Sequence, residues 1–135
     1  MGGGTELQIL LRNLEPVRRP GIFVFSSLPG HRIPTGVEAA AAIEEDEGLT
    51  LVLEKGEAER CGINGIFPCA WITLKVHSDL AAVGLTAAVS AALAREGIAC
   101  NVIAGYHHDH LLVPAEDADR ALEILRALAS GEPDA

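Results

Sequence analysis

The second half of the chain alternates between strand-like and helix-like patterns of apolar residues. Apolar side chains occupy every second position over residues 70–76, which predicts a strand. Over residues 85–96 the apolar positions follow a helical spacing, and glycine then ends the pattern. Strands are predicted for residues 98–104 and 110–113, and a last amphipathic helix follows Pro114. The second half therefore reads βαββα.

The first half opens with a weaker version of the same signals. A capping box at residues 5–8 predicts the start of a helix, and Pro16 and Pro20 are expected to close it. Residues 21–26 are rich in β-forming side chains and predict a strand. After a Pro-Gly turn signal, residues 31–34 read as the return arm of a hairpin.

A second capping box, at residues 35–38, predicts an alanine-rich helix that ends at Gly48. Residues 49–54 then predict a strand, and residues 55–61 predict a short helix stopped by Gly62. The first half therefore reads αββαβ plus a short helix.

These strings suggest two related halves of one ferredoxin-like α/β (α+β) sandwich architecture. A ferredoxin-like unit is βαββαβ, so the first half lacks the opening strand and the second half lacks the closing strand. We therefore expect an incomplete N-terminal unit at residues 1–65 and a C-terminal unit at residues 66–130. The two units would complete each other or complete a dimer.

Composition narrows the class of protein. The chain has 135 residues, 49% of them hydrophobic, and a net charge of −9. Such an acidic surface makes nucleic acid and anionic membranes poor partners, and the sequence has no apolar run long enough to span a bilayer. No signal peptide is recognisable at the N-terminus. Three cysteines without a CxxC pair indicate reduced thiols and a cytoplasmic protein.

Three stretches resemble a known family. Residues 71–80, residues 83–88 and, most specifically, residues 100–110 look like the small bacterial tandem ACT-domain proteins, distant relatives of the ACT pairs in the animal arginine sensors called CASTOR. Residues 48–53 extend the resemblance to nearly the whole chain. It implies two ferredoxin-like ACT units that bind an amino acid and regulate a separate partner protein, because no catalytic domain is attached.

The main candidate site is the loop between the strand at residues 70–76 and the helix that follows. A helix N-terminus offers free backbone N–H groups to a carboxylate, and Gly84 would allow close approach of the backbone. Asp79 could accept hydrogen bonds from an ammonium group, although Ser78 or Asp79 could equally serve as a helix cap. The resemblance singles out Asp79, Val83, Gly84 and Leu85.

Two further candidates come from the next predicted strand. Asn101 lies among apolar residues, so its amide needs partners, which could be a ligand or a neighbouring loop. Ile103 lies two positions further along the same strand. The ligand-binding prediction is therefore Ser78, Asp79, Val83, Gly84, Leu85, Asn101 and Ile103.

The histidine-rich segment at residues 107–110 is the one metal-like motif. With His77 it offers four imidazoles and a carboxylate. Neighbouring strand residues point to opposite faces, however, so a solvated turn is the favoured interpretation. The chain also lacks Walker, GxGxxG and GxSxG motifs. We expect no catalytic residues, no metal and no cofactor.

The leading hypothesis is a non-catalytic sensor or regulatory protein that binds a small molecule, most plausibly an amino acid, and assembles as a homo-oligomer, most simply a dimer. A structural module that assembles through its sheets without a ligand is the alternative. A small metal-dependent enzyme that uses the histidine segment is the third hypothesis. The sequence names neither the ligand nor the regulated partner.

Overall fold

The structure is a computed structural model that describes residues 2–76 and 83–131. Its helices are α1 (Gly2–Arg12), α2 (Lys55–Cys61), α3 (Leu85–Arg95) and α4 (Ala118–Ser130), the last preceded by a 3-10 turn at Ala115–Asp117. Its strands are β1 (Glu15–Leu28), β2 (Ala41–Glu45), β3 (Gly48–Glu54), β4 (Ile66–Lys75), β5 (Asn101–Ala104) and β6 (Asp109–Pro114). None of the described helices is both long and apolar enough to cross a membrane.

The chain divides into two compact units. Unit 1 consists of Met1–Arg19 and Ala70–Ala135, and unit 2 consists of Pro20–Cys69. The long strands β1 and β4 each contribute one part to each unit, because β1 spans Glu15–Leu28 and β4 spans Ile66–Lys75.

Unit 1 contains the predicted βαββα string, which runs from β4 through α3, β5 and β6 to α4. Its strands lie in the order β1-β4-β6-β5. Residues 15–19 of β1 thus stand beside β4, where a ferredoxin-like unit has its closing strand. The strand that the C-terminal half lacks in sequence is therefore supplied from near the start of the chain.

The core of unit 1 lies between one face of this sheet and the helices. The alternating apolar residues of β4 point into it because side chains on a strand point to opposite faces in turn. The buried members are Leu14, Ala70, Ile72, Leu74, Val76, Leu85, Val89, Leu93, Ile98, Leu111, Val113, Ala118, Ala121, Leu122 and Leu125. The apolar stripes of α3 and α4 predicted from sequence are the ones that pack here.

Unit 2 has the strand order β2-β3-β1-β4 and one helix, α2. Strand β1 pairs antiparallel with β3 from Phe23 opposite Glu54 to Leu28 opposite Leu49. The buried core is formed by Val24, Leu49, Leu51, Leu53 and Ala58. Helix α2 ends at Gly62, whose φ of 68° places it in the left-handed region that glycine adopts most readily.

The predicted alanine-rich helix at residues 35–48 is wrong. Residues Ala41–Glu45 form strand β2, which pairs antiparallel with β3 from Ala41 opposite Val52 to Glu45 opposite Gly48. Alanine and glutamate have high helix propensity, but propensity contributes only roughly a few tenths of a kcal/mol per residue, and tertiary context overrides it. Here the ladder to β3 and a two-residue turn before Gly48, which has a φ of 146°, decide the structure.

The segment before β2 is held to α2 by hydrogen bonds that join Gly36 and Glu38 to Arg60 and Glu57, a set of contacts called the clasp below. Arg60 donates one hydrogen bond to the carbonyl oxygen of Gly36 at 2.8 Å and pairs with the carboxylate of Glu57. The backbone N–H of Glu38 also donates to Glu57 at 2.8 Å, and the thiol of Cys61 is a third donor at 3.7 Å. The predicted capping box at residues 35–38 is therefore wrong, since Glu38 serves this clasp.

Three smaller expectations at the start of the chain are also wrong. Helix α1 begins at Gly2, before the predicted capping box, and residues 31–34 do not form a strand. Pro16 and Pro20 lie within β1, which runs from Glu15. Proline is tolerated there because the register with β3 begins only at Phe23, so neither nitrogen is needed for that ladder.

Candidate functional site

The junction that leads into α3 has a glycine at the helix N-terminus. Its N-cap is Gly84, which has a φ of 100°, and no side chain in residues 2–76 or 83–131 caps the helix. The first bond within the helix runs from the N–H of Ala88 to the carbonyl of Gly84, at 2.9 Å. The three N–H groups between them, at residues 85–87, therefore have no acceptor within the helix, and the first turn carries no acidic residue.

The side chains at this junction divide between core and surface. Leu85 is buried in the core of unit 1 and fixes the start of the helix. Val83, which directly precedes the N-cap, is 87% exposed. Gly84 lies close to α1, because a Cβ added to it would be 3.4 Å from a methyl group of Leu7.

A carboxylate from β6 stands beside the first turn of α3. The hydroxyl of Thr86 donates to Oδ2 of Asp109 at 3.3 Å. Asp109 is half-buried at the start of β6. The site therefore combines donors that suit an anion with an acceptor that suits a cation.

The sequence-predicted site residues fall into separate groups. Val83, Gly84 and Leu85 lie at the N-terminus of α3, whereas Ser78 and Asp79 lie outside the described residues. The capping role considered for Ser78 or Asp79 stays a prediction for the same reason.

Asn101 and Ile103 lie on the sheet face that points away from α3 and α4. Asn101 pairs with Leu112, and Ile103 pairs with His110. Paired residues share a face, and the alternate residues of β6, at positions 111 and 113, belong to the helix-side core. The structure therefore does not bring Asn101 and Ile103 together with Leu85, which points to the helix side.

That outer face carries a polar and aromatic network that was not predicted. The indole Nε1–H of Trp71 donates to Oγ1 of Thr73 at 3.1 Å, and Oγ1 lies 3.0 Å from Nδ1 of His110. The rings of Trp71 and His110 are 5.1 Å apart between centroids, and the guanidinium of Arg19 lies 5.1 Å above the indole. The sequence signal was the alternation of Trp71 and Thr73 with the core positions of β4.

The histidine turn is less like a metal site than its composition suggests. The ring of His107 packs edge-on against Tyr106, and the rings of His107 and His108 are 6.4 Å apart between centroids. In residues 2–76 and 83–131, no group of three or more His, Cys, Asp or Glu side chains is arranged to hold a metal ion. His77, the fourth imidazole of the motif, lies outside these ranges.

The pKa values of two cysteine thiols are set by burial. Burial raises the pKa of Cys69 to about 11 and also raises the pKa of Cys100. The Cys69 thiol donates to the carbonyl of Phe23 at 3.3 Å, within unit 2. Cys61, Cys69 and Cys100 are all free thiols, and the two with raised pKa values behave as small apolar side chains.

The order of strands and helices in unit 1 defines the ferredoxin-like α+β class. Within that class the chain belongs to the ACT-domain family, which matches it twice, at residues 2–70 and at residues 66–127. The chain therefore carries two tandem ACT domains, and ACT domains are regulatory modules that bind small ligands. The more distant relation to the CASTOR sensors stays a prediction.

Solved structures show the same fold. A protein of unknown function from Vibrio cholerae is 42% identical, with a TM-score of 0.85, covering 95% of this chain and 99% of that chain. A protein from Agobacterium tumefaciens is 20% identical, with a TM-score of 0.70, covering 87% and 90%. The regulatory subunit of aspartate kinase from Thermus flavus is 13% identical, with a TM-score of 0.61, covering 86% and 96%. No curated protein is significantly similar to the chain.

Proposed function

We propose that this protein is a non-catalytic sensor that binds a free amino acid at the N-terminus of α3 and regulates a separate partner. Membership in the ACT-domain family supports the regulatory, ligand-binding part of this proposal. The observation that supports the position of the site is the first turn of α3, which follows Gly84 and has no side-chain cap from the part of the chain that the structure describes.

The ligand carboxylate would bind the free N–H groups of residues 85–87. These groups point out of the helix N-terminus, where the helix dipole also favours negative charge. The exposed Val83 offers an apolar contact at the same place. In this proposal Ser78 and Asp79 complete the loop around the ligand, as expected from the sequence.

The ligand ammonium group would bind Asp109. Its carboxylate is already oriented toward the first turn by the hydroxyl of Thr86, and a carboxylate is the natural acceptor for an ammonium group. A site with both features distinguishes a zwitterion from a simple carboxylic acid. Asn101 and Ile103, on the other sheet face, would then act outside this site.

Calorimetric titration with the twenty amino acids tests the proposal. We expect at least one to bind the full chain, and the same compound without its amino group to bind at least about tenfold more weakly. In Val83→Asp the new carboxylate repels that of the ligand, and in Asp109→Asn the partner of the ammonium group is lost; both variants should weaken binding by a similar factor.

Asp119→Asn is the matched control. Asp119 is exposed on α4, and its substitution removes the same charge from the same unit as Asp109→Asn does. It should bind like the unmodified chain. An equal loss of affinity in this control would mean that net charge, and not the α3 site, governs binding. No heat and no shift in melting temperature with any amino acid would refute the proposal.

Assembly and location complete the proposal. We propose a homodimer in the cytoplasm, which is consistent with three free cysteines. The outer strand of unit 1 is β5, a short strand that carries no charged residue and leaves Val102 36% exposed. That open edge also favours the second candidate function, a module that assembles through its sheets without a ligand. Oligomer size that responds to Val102→Lys, with no amino acid bound by either chain, would favour this alternative.

A further inference from the structure

We infer that His110 is a proton-responsive group in unit 1. When neutral, it links β6 to β4 by a hydrogen bond with Thr73, which also bonds to Trp71. Protonation of His110 breaks this link between the two strands. The inference rests on the outer-face network and is independent of the amino-acid site. It assigns a role to one histidine of a motif that has no metal-binding arrangement within the described residues.

The donors and acceptors of the network are all used when His110 is neutral. An indole Nε1–H can only donate, so Oγ1 of Thr73 accepts from Trp71. The single hydroxyl proton of Thr73 is then free to be donated to Nδ1 of His110, 3.0 Å away. With Thr73 as the donor, Nδ1 accepts and the imidazole is neutral, with its proton on Nε2.

Protonation reverses the last of these bonds. Nδ1 would gain a hydrogen and become a donor, and Oγ1 of Thr73 would face two donors at once, the indole of Trp71 and the imidazolium of His110. The hydroxyl proton of Thr73 would lose its acceptor in a half-buried position, which is costly. The imidazolium would also be repelled by the guanidinium of Arg19, which lies over the same indole.

The groups around the ring oppose the added charge on balance. Burial is the largest cause that lowers the pKa of His110 below its ordinary 6.5, followed by repulsion from His108, and Arg19 adds to it, whereas Asp109 acts in the opposite direction. Strand β4 faces the ring with Trp71 and Thr73 and β5 pairs Ile103 with it, so neither contributes charge.

Space is also limited on the other side of the ring. A Cβ added to Gly105 would be 3.0 Å from Nε2 of His110 and 2.8 Å from the carbonyl oxygen of His108. The turn therefore lies close to the ring on the side of Nε2, and the absence of a side chain at Gly105 allows this approach.

The fluorescence of Trp71 reports the change directly, because the chain contains one tryptophan. An imidazolium quenches an excited indole more strongly than a neutral imidazole does. Between pH 8 and pH 5 we expect emission of the full chain to fall in one transition, with a midpoint below 6.5. The transition should be lost in His110→Gln and kept in His107→Gln, which alters the exposed neighbour in the same turn. Arg19→Gln should move the midpoint upward.

A second measurement keeps the test decisive if His110→Gln folds poorly. Long-range proton–nitrogen NMR of the unmodified chain identifies the tautomer and midpoint of each histidine. We expect His110 to carry its proton on Nε2 at pH 8 and to titrate below 6.5. A proton on Nδ1, a midpoint at or above 6.5, or a fluorescence transition that survives in His110→Gln would each overturn the inference.

Discussion

The close approach between Gly65 and Val24 in unit 2 predicts a large effect from one methyl group. A Cβ added to Gly65 would lie 2.4 Å from Cγ2 and 2.7 Å from Cβ of Val24. Ordinary carbon contacts are about 3.5–4.0 Å, so Gly65→Ala requires a displacement of about 1 Å. Val24 is 3% exposed and packed in the core, and it has little space to move. We expect Gly65→Ala to lower the free energy of unfolding by about 1–3 kcal/mol.

The same contact predicts a compensating change. Val24→Ala alone removes two methyl groups from the core and should cost about 2 kcal/mol. In the double variant the contacts with both Cγ atoms of residue 24 are removed, so part of the clash is relieved, whereas the contact with its Cβ at 2.7 Å remains. The loss should therefore be about 1–2 kcal/mol smaller than the sum of the two single losses, as expected for residues in contact.

Urea unfolding followed by circular dichroism measures these free energies. Gly56→Ala is the matched control, because Gly56 lies in α2 and a Cβ there would have no heavy atom within 4 Å. Its expected effect is a gain of up to about 1 kcal/mol from helix propensity. Losses that add within error, or a Gly65→Ala variant as stable as the unmodified chain, would refute the packing described for unit 2.

Two further predictions concern titratable groups in unit 2. The pKa of Glu57 is lowered to about 2, first by the hydrogen bond from Arg60 and then by that from Glu38. The stabilisation is therefore present above pH 4.5 and is lost as pH falls toward 2. Glu57→Gln should remove that part of the pH dependence of the melting temperature; an unchanged acid profile would contradict the clasp. The pKa of the Cys69 thiol is raised to about 11, so Cys69 should react with Ellman's reagent at pH 8 much more slowly than the partly exposed Cys61. The Cys69→Ala and Cys61→Ala single variants separate the two reactions. Equal rates in these variants would contradict the burial of Cys69.

The second half of the fold could be predicted well because its patterns are unambiguous. The period-two alternation of β4 and the helical stripes of α3 and α4 each give a single apolar face. These apolar faces form the core of unit 1. Glycine stops at Gly62 and Gly97 also agree with the ends of α2 and α3. Local patterns are reliable where local preference and tertiary burial point in the same direction.

The first half was harder because two preferences conflicted with pairing. Residues 39–45 are rich in alanine and glutamate, but β3 needs an antiparallel partner and the chain turns back within two residues. The length of β1 was hidden by Pro16 and Pro20, whose effect depends on which side of the strand must donate hydrogen bonds. Such information lies in the neighbouring strand and not in the local sequence.

The candidate site could be predicted only in part. The strand–loop–helix junction at Val83–Gly84 follows from local patterns, and the structure describes its helix side. The approach of Asp109 to Thr86 depends on how β6 packs beside α3, which are separated by more than twenty residues in sequence. The link from Thr73 to His110 likewise depends on strand order, and no local pattern indicates it.

The central claim, that a free amino acid binds at the N-terminus of α3, is tested most directly by the backbone amide signals of residues 85–87. In a ¹⁵N-labelled full chain titrated with the amino acid that gives the largest calorimetric signal, we predict that these amides, with Val83 and Asp109, show the largest saturable shifts. They should do so with a single dissociation constant equal to the calorimetric value. Saturable shifts confined to the turn at residues 105–108 or to the β5 edge, with residues 85–87 unchanged, would contradict the account.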